Sequence, residues 1–315
     1  MGLFQAFTTE SMLEAIDLLK AAVEFDPDYA YAWLWLAQLY KMAPLAIDDR
    51  LPLDWNQLAE EALAEARRID SSLPAVLGME VNQYTHSNQW MQVEETMKEA
   101  RSMELSMDPG LPFFYGIFLI HVGRVEEATN MLERARLLEP MAAHTARMLG
   151  FAYLMNGRTE EALEEYESAW RLDNVIRSVG SSEGLVAALT CGDREIIRKW
   201  LDRAIEFAGG TELDFYVAMD EWFDDRLAAL AWLRDSHEKG DIDTIYHFLP
   251  TWAAYYGDTQ LALEVMERLP DSWGAWNPLM AEVRQQPEFK VIDMRVTARK
   301  IGKARMGNSC CFYRG

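Results

Sequence analysis

The side chains best suited to metal ligation or proton transfer near neutral pH are the five histidines, His86, His121, His144, His237 and His247, and they fall in five separate segments. Only His237-Glu238 opens like a metal motif. A helical site needs a second His four residues on, which puts two imidazoles on one face, and none follows. The pair reads instead as a cation near a helix end, where the dipole favours it. Cys191, Cys310 and Cys311 are odd in number, two of them adjacent, with no CxxC spacing and no neighbouring His. That arrangement predicts neither zinc nor a disulfide framework and suits a reducing compartment. No GxxxxGK[ST], GxGxxG, HExxH or GxSxG pattern occurs. The expectation is a noncatalytic chain with no metal and no cofactor.

Charge narrows the partners. The 315 residues carry 30 Lys and Arg against 51 Asp and Glu, a formal −21, and most of such a surface repels a phosphate backbone. Nucleic acid is therefore not expected as a partner of this chain, and a helical-repeat RNA binder fails on charge. The balance is uneven. Residues 290–315 hold seven basic side chains and only Asp293 as an acid, a local +6, so residues 1–289 carry −27. The basic tail either neutralises the acidic array or contacts an anionic partner. The acidic pairs Glu60-Glu61, Glu94-Glu95, Glu160-Glu161 and Glu164-Glu165 read as first-turn or outer-face residues of helices. The start, MGLFQAFTTES, has no basic and apolar export pattern, and Ala6 breaks the myristoylation pattern. The longest apolar stretch, Leu111 to Val122, is too short to span a bilayer. A cytoplasmic location with no membrane contact is the expectation.

What positions these side chains is a repeat. GRVEEATNMLERARLLEP from Gly123 and GRTEEALEEYESAWRLDN from Gly157 are offset by 34 residues, and Gly116 and Gly150 keep the same offset upstream. Ala128 matches Ala162, Leu132 matches Tyr166, Ala135 matches Ala169 and Pro140 matches Asn174. Each unit is two helices. A Gly or Ala lets the axes cross closely, and the second helix carries one apolar stripe at helical spacing. No unit buries its stripe alone, so stacked neighbours supply the core. Such a 34-residue two-helix period is that of the tetratricopeptide repeat. The fold class predicted is all-α, a right-handed helical-repeat solenoid of antiparallel helix pairs.

Earlier and later copies are less regular. EAIDLLKAAVEFDP is a second-helix pattern, YAWLWLAQLY a first helix with Ala37 as its small residue, and LAEEALAEARRID its partner, separated by an insertion expected to loop at 42–51. Gly78 is the crossing residue of the next unit. After Asn174 the pattern loosens, with pairs hinged at Gly192-Asp193 and Gly257-Asp258. The expected organisation is TPR-like repeats over 1–175, degenerate repeats continuing the same solenoid over 176–289, and a basic helix and tail over 290–315. The tryptophans Trp33, Trp35, Trp170, Trp200, Trp252 and Trp276 fall mostly on the stripes and read as packing between units.

The opening EAIDLLKAAVEFDPDYAYAWLWLAQLY, the Pro-containing insertion, LAEEALAEARRID and the closing WNPLMAEVRQQPEFK together resemble the repeat region of bacterial multidomain regulators, over roughly residues 8 to 292. In that family the repeats follow a winged-helix DNA-binding domain or a class III adenylate cyclase domain. This chain starts at the repeats and ends in a different tail, so the resemblance implies an interaction role and no DNA-binding or cyclase residue.

First helices line the inner surface of this fold. The positions one and four residues after each crossing residue, Gln38, Lys41, Met79, Asn82, Ile117, Ile120, Phe151 and Leu154, are expected to face a concave groove, with Gln83, His121 and Arg147 beside them. The groove is polar at its N-terminal end and apolar in the middle, where it either binds a ligand or is filled by the protein's own later helices. The function expected is a noncatalytic scaffold or sensory module of a bacterial regulatory system that binds a peptide or protein partner. The alternative is the repeat region of an adenylate cyclase or winged-helix regulator whose effector domain lies outside this chain.

Overall fold

The computed structural model describes residues 9–46, 53–87, 89–102, 108–172, 176–240, 248–268 and 276–291, and every regular element among them is helical. The chain divides into two compact units, 1–141 and 142–315. The expected division near residue 175 lies inside the second unit. The basic tail lies outside the described residues except for its first two positions, Lys290 and Val291.

The first unit holds α1 (Thr9–Phe25), α2 (Ala30–Ala46), α3 (Trp55–Ile69), α4 (Pro74–His86), α5 (Trp90–Ser102), α6 (Gly110–His121) and α7 (Val125–Leu138). Apolar stripes meet along the pairs: Met12, Ile16 and Val23 of α1 join Leu36, Leu39 and Ala43 of α2 and Ala59, Leu63 and Ala66 of α3 in one core. One expectation is corrected here. Where a loop is expected from Met42, α2 continues through Pro44 to Ala46. Tyr40 and Ala43 extend the buried stripe by another turn, and Tyr40 packs against Trp55 with ring centroids 6.1 Å apart. Near a helix end Pro44 removes only one N–H from the ladder, a loss the added burial offsets. The rest of that insertion, residues 47–51, lies outside the described residues. Asp54 then starts α3 by accepting a hydrogen bond from the Gln57 N–H at 3.0 Å, a helix N-cap.

The second unit holds α8 (Ala143–Met155), α9 (Thr159–Leu172), α10 (Ile176–Cys191), α11 (Arg194–Phe207), α12 (Gly210–Glu221), α13 (Arg226–Lys239), α14 (Leu249–Tyr255), α15 (Thr259–Arg268) and the short α16 (Ala281–Arg284). The turn between α8 and α9 shows how a pair closes. Gly157 sits at φ 74°, the left-handed region, and the Arg158 N–H reaches back to the Tyr153 carbonyl at 2.9 Å. The same bond joins Arg124 to Leu119 in the first unit.

The repeat persists beyond the point where it fades in sequence. Gly184 lies 34 residues after Gly150 and Trp200 34 after Tyr166, and a Cβ on Gly184 would fall inside the contact envelope of the Trp200 ring. Here α10 runs one residue longer before its turn at Gly192, which brings both Trp200 and Leu201 into the core. Gly78 departs the other way. Its close neighbour is the backbone of Leu111, at 3.0 Å from an ideal Cβ, so its small size lets α4 approach α6 rather than its own partner helix.

Candidate functional site

On α2, Gln38 and Lys41 are three residues apart, and on α4 so are Met79 and Asn82; each pair therefore shares one helix face. In the folded first unit Ala37 and Lys41 of α2 and Met79, Asn82 and Gln83 of α4 come together around one shallow cleft, walled on its third side by Ala59, Glu60 and Leu63 of α3. Its enclosed volume is about 10 Å³, room for one water, so a ligand there lies along the surface. The walls alternate apolar and polar groups. Met79 is 8% exposed, and Asn82, Gln83 and Lys41 are half-buried. Lys41 Nζ donates to Asn56 Oδ1 at 3.4 Å, a long bond to a neutral amide rather than an ion pair. Gln38 Nε2 donates to the Met42 sulfur at 3.4 Å, a weak acceptor, while Gln38 Oε1 is buried with no hydrogen-bond partner among the described residues. An unpaired buried carbonyl oxygen is costly, and a donor brought by a ligand or a water would relieve it.

The other expected lining residues sit differently. Ile117 is half-buried, and Ile120 is buried. The His121 ring nitrogen Nδ1 lies 2.9 Å from the Ile117 carbonyl, which ties the imidazole to its own helix. In the second unit Phe151 and Leu154 are buried, at 8% and 1% exposure, and so do not line an open surface. Arg147 pairs with Glu183 at 2.6 Å, and the second oxygen of Glu183 and the hydroxyl of Tyr166 are buried there without partners. Burial raises the Glu183 carboxyl against the opposing pull of Arg147, and it raises the Tyr166 hydroxyl more strongly. This cluster was not visible in the sequence, since its members come from three helices.

Two further features escaped the reading of residue types. Glu60, read as solvated surface, is indeed exposed and also borders the cleft. Trp35, taken as packing, is 49% exposed on the same α2 face as Gln38, and Trp276 is 48% exposed. Among the described residues no group of three His, Cys, Asp or Glu side chains is placed to hold a metal, and no helix is long and apolar enough to cross a membrane. His237 is buried at the end of α13, where burial and then Arg268 hold its pKa below the usual value.

No protein-family model matches the chain, and no curated protein matches it in sequence. Solved structures do match in fold. PilF of Pseudomonas aeruginosa is similar with a TM-score of 0.50 at 19% identity, covering 66% of this chain and 90% of that one. Human IFIT1, solved as a dimer with m7Gppp-AAAA, is similar with a TM-score of 0.55 at 13% identity, covering 95% of this chain and 69% of that one. At these identities the likeness is one of fold. The helix-pair geometry and the 34-residue spacing of its Gly contacts are those of a tetratricopeptide-type helical-repeat fold.

Proposed function

We propose that this chain is a noncatalytic protein-interaction scaffold that binds a peptide or protein segment along the inner face of its first unit. The observation that carries the reading is the convergence of Lys41, Met79, Asn82 and Gln83 on one cleft. Helices held by stacking present these groups with little left to order, so an extended segment or a partner helix binds without a large entropy cost. Alternating amide, cation and thioether groups suit a polypeptide, whose backbone offers donors and acceptors at every residue. The charge balance disfavours nucleic acid: IFIT1 is seen with an RNA cap analogue, whereas the first unit here has 10 Lys and Arg against 23 Asp and Glu.

The setting we favour is a cytoplasmic bacterial regulatory system, supported by the closing segment from Trp276 to Lys290. There Asn277 donates to Thr251 at 3.1 Å, Arg284 donates to the Asn277 carbonyl at 2.8 Å, and Trp276 meets Phe289 edge to face at 6.0 Å. A segment that resembles the end of regulator repeat regions thus serves here to close the last helices of the unit. A photo-crosslinker placed at Asn82 should capture a partner that one placed at Glu164, on the outer face of α9, does not. Equal capture from both positions, or cyclic AMP formation by the purified chain, would contradict the reading.

A further inference from the structure

Resting on the groove reading, a second feature of the first unit names the chemistry of the segment it takes. Tyr31 and Trp35, four residues apart on the face of α2 that also carries Gln38, are 43% and 49% exposed, and Tyr29 just before the helix is 50% exposed. Large aromatic rings left this open on a stacked helix are unusual, because stacking exists to cover them.

Carboxylates edge the same face. Asp28, Asp70 and Asp108 lie just before α2, α4 and α6, and α4 packs on both α2 and α6, so the three acids fall at the same end of neighbouring helices. Asp70 Oδ1 accepts from the Ser72 N–H and hydroxyl, and Asp108 Oδ1 accepts from the Gly110 N–H, so both side chains are fixed in place. Asp28 lies 3.6 Å from Arg68, a cation already drawn to this edge. The Tyr31 hydroxyl is held above its ordinary pKa, by burial first and then by the charges of Asp108 and Asp70. An aromatic face edged with acid is complementary to a cation that also has apolar methylenes, which is a Lys or Arg side chain.

We propose that this face docks a basic, extended segment of a partner protein, its Lys or Arg side chains laid on Tyr31 and Trp35 and directed to Asp70 and Asp108. The spacing follows from geometry. Packed helices stand about 8 to 10 Å apart and an extended chain advances about 3.3 Å per residue, so successive acidic loops match a basic residue at every third position.

The test uses the full chain and labelled 12-residue peptides in anisotropy titrations at 0.05 and 0.15 M salt. One peptide carries Lys at every third position, a second has the same lysines contiguous, and a third has Glu in their place. The spaced Lys peptide should bind at least 5-fold tighter than its contiguous isomer, and the Glu peptide should not bind. Asp70→Asn with Asp108→Asn should weaken the spaced peptide at least 10-fold with the melting curve unchanged, and Trp35→Ala should weaken it without changing its salt dependence. Equal affinity of the two isomers, or binding indifferent to the Asp substitutions, would overturn the proposal. Binding that appears only after residues 1–8 are deleted would overturn it too, because the chain's own apolar start would then be the occupant. Peptides that respond to Lys41→Ala with Asn82→Ala but not to the Asp pair would keep the groove reading while removing this one.

Discussion

The Tyr216 hydroxyl donates to Ser182 Oγ at 2.8 Å, across 34 residues, one repeat period. Both residues are buried, Ser182 on α10 and Tyr216 on α12, so one hydrogen bond fastens successive first helices inside the core. Tyr216→Phe removes the donor and leaves the serine hydroxyl buried. The expected loss is about 1 kcal/mol, read as an earlier midpoint in urea unfolding with an unchanged slope. An unchanged midpoint would show that Ser182 finds another partner, the nearby Glu212 being the obvious one.

In the first unit Arg67 of α3 bridges Glu80 of α4 at 2.6 Å and Glu99 of α5 at 3.1 Å, and the Glu80 side chain is only 9% exposed. Arg67→Ala strands that carboxylate and should cost about 3 kcal/mol at pH 7. Burial raises the Glu80 pKa, with Arg67 opposing it. A folded-state pKa above the unfolded one means that the native state binds the proton more tightly, so acid relieves the strain. The deficit of the variant should shrink between pH 7 and pH 5, and Glu80→Gln in the same chain should restore most of the loss. A deficit independent of pH would mean that Arg67 matters by packing alone.

Glu167 on α9 behaves in the opposite sense. Its hydrogen bond from Arg203 lowers its pKa to about 2, against a smaller cost of burial and with further help from Lys199. Arg203 itself lies against two rings, 4.4 Å from the Trp170 ring centre and 4.6 Å from that of Trp200. The stabilisation is present above the unfolded carboxylate pKa, near 4.5, and is lost as pH falls from there towards 2. Glu167→Gln should flatten that part of the stability profile and leave the rest parallel to wild type. Identical profiles over that range would remove the carboxylate from the account.

Gly184→Ala should destabilise the second unit by about 1 to 3 kcal/mol through overpacking against Trp200. Trp200→Phe in the same chain should recover part of the loss, because it frees the space the methyl needs. Additive losses in the double variant would show that the two residues do not share that space.

The regular part of this fold was legible because Gly116 with Leu132 and Gly150 with Tyr166 keep one period, and a glycine at a helix crossing has few substitutes. The contact of Gly184 with Trp200 keeps that period too, yet the extra residue before Gly192 shifts the following helix by one and hides the match. Pro44 misled in the other direction: a proline near a helix end costs little when Ala43 and Tyr40 still bury. For the candidate cleft, the spacing put Lys41, Met79, Asn82 and Gln83 on one surface, since first-helix positions follow from the crossing residue. It could not place Glu60 beside them or reveal the Tyr166 and Glu183 cluster. Those depend on which turn of a neighbouring helix comes alongside, and repeat spacing does not encode that.

The central claim is that the inner face of α2 and α4 is where a partner binds, and its most direct test is a comparison of affinities. Peptides selected on the wild-type chain from a displayed random library are titrated against Lys41→Ala with Asn82→Ala, and against Glu160→Ala with Glu164→Ala on the outer face of α9. The account predicts a loss of about 1 to 3 kcal/mol on the inner-face variant, roughly 5- to 150-fold in Kd, with unchanged melting and no loss on the outer-face variant. Full-strength binding to the inner-face variant, or an equal loss on the outer face, would contradict it.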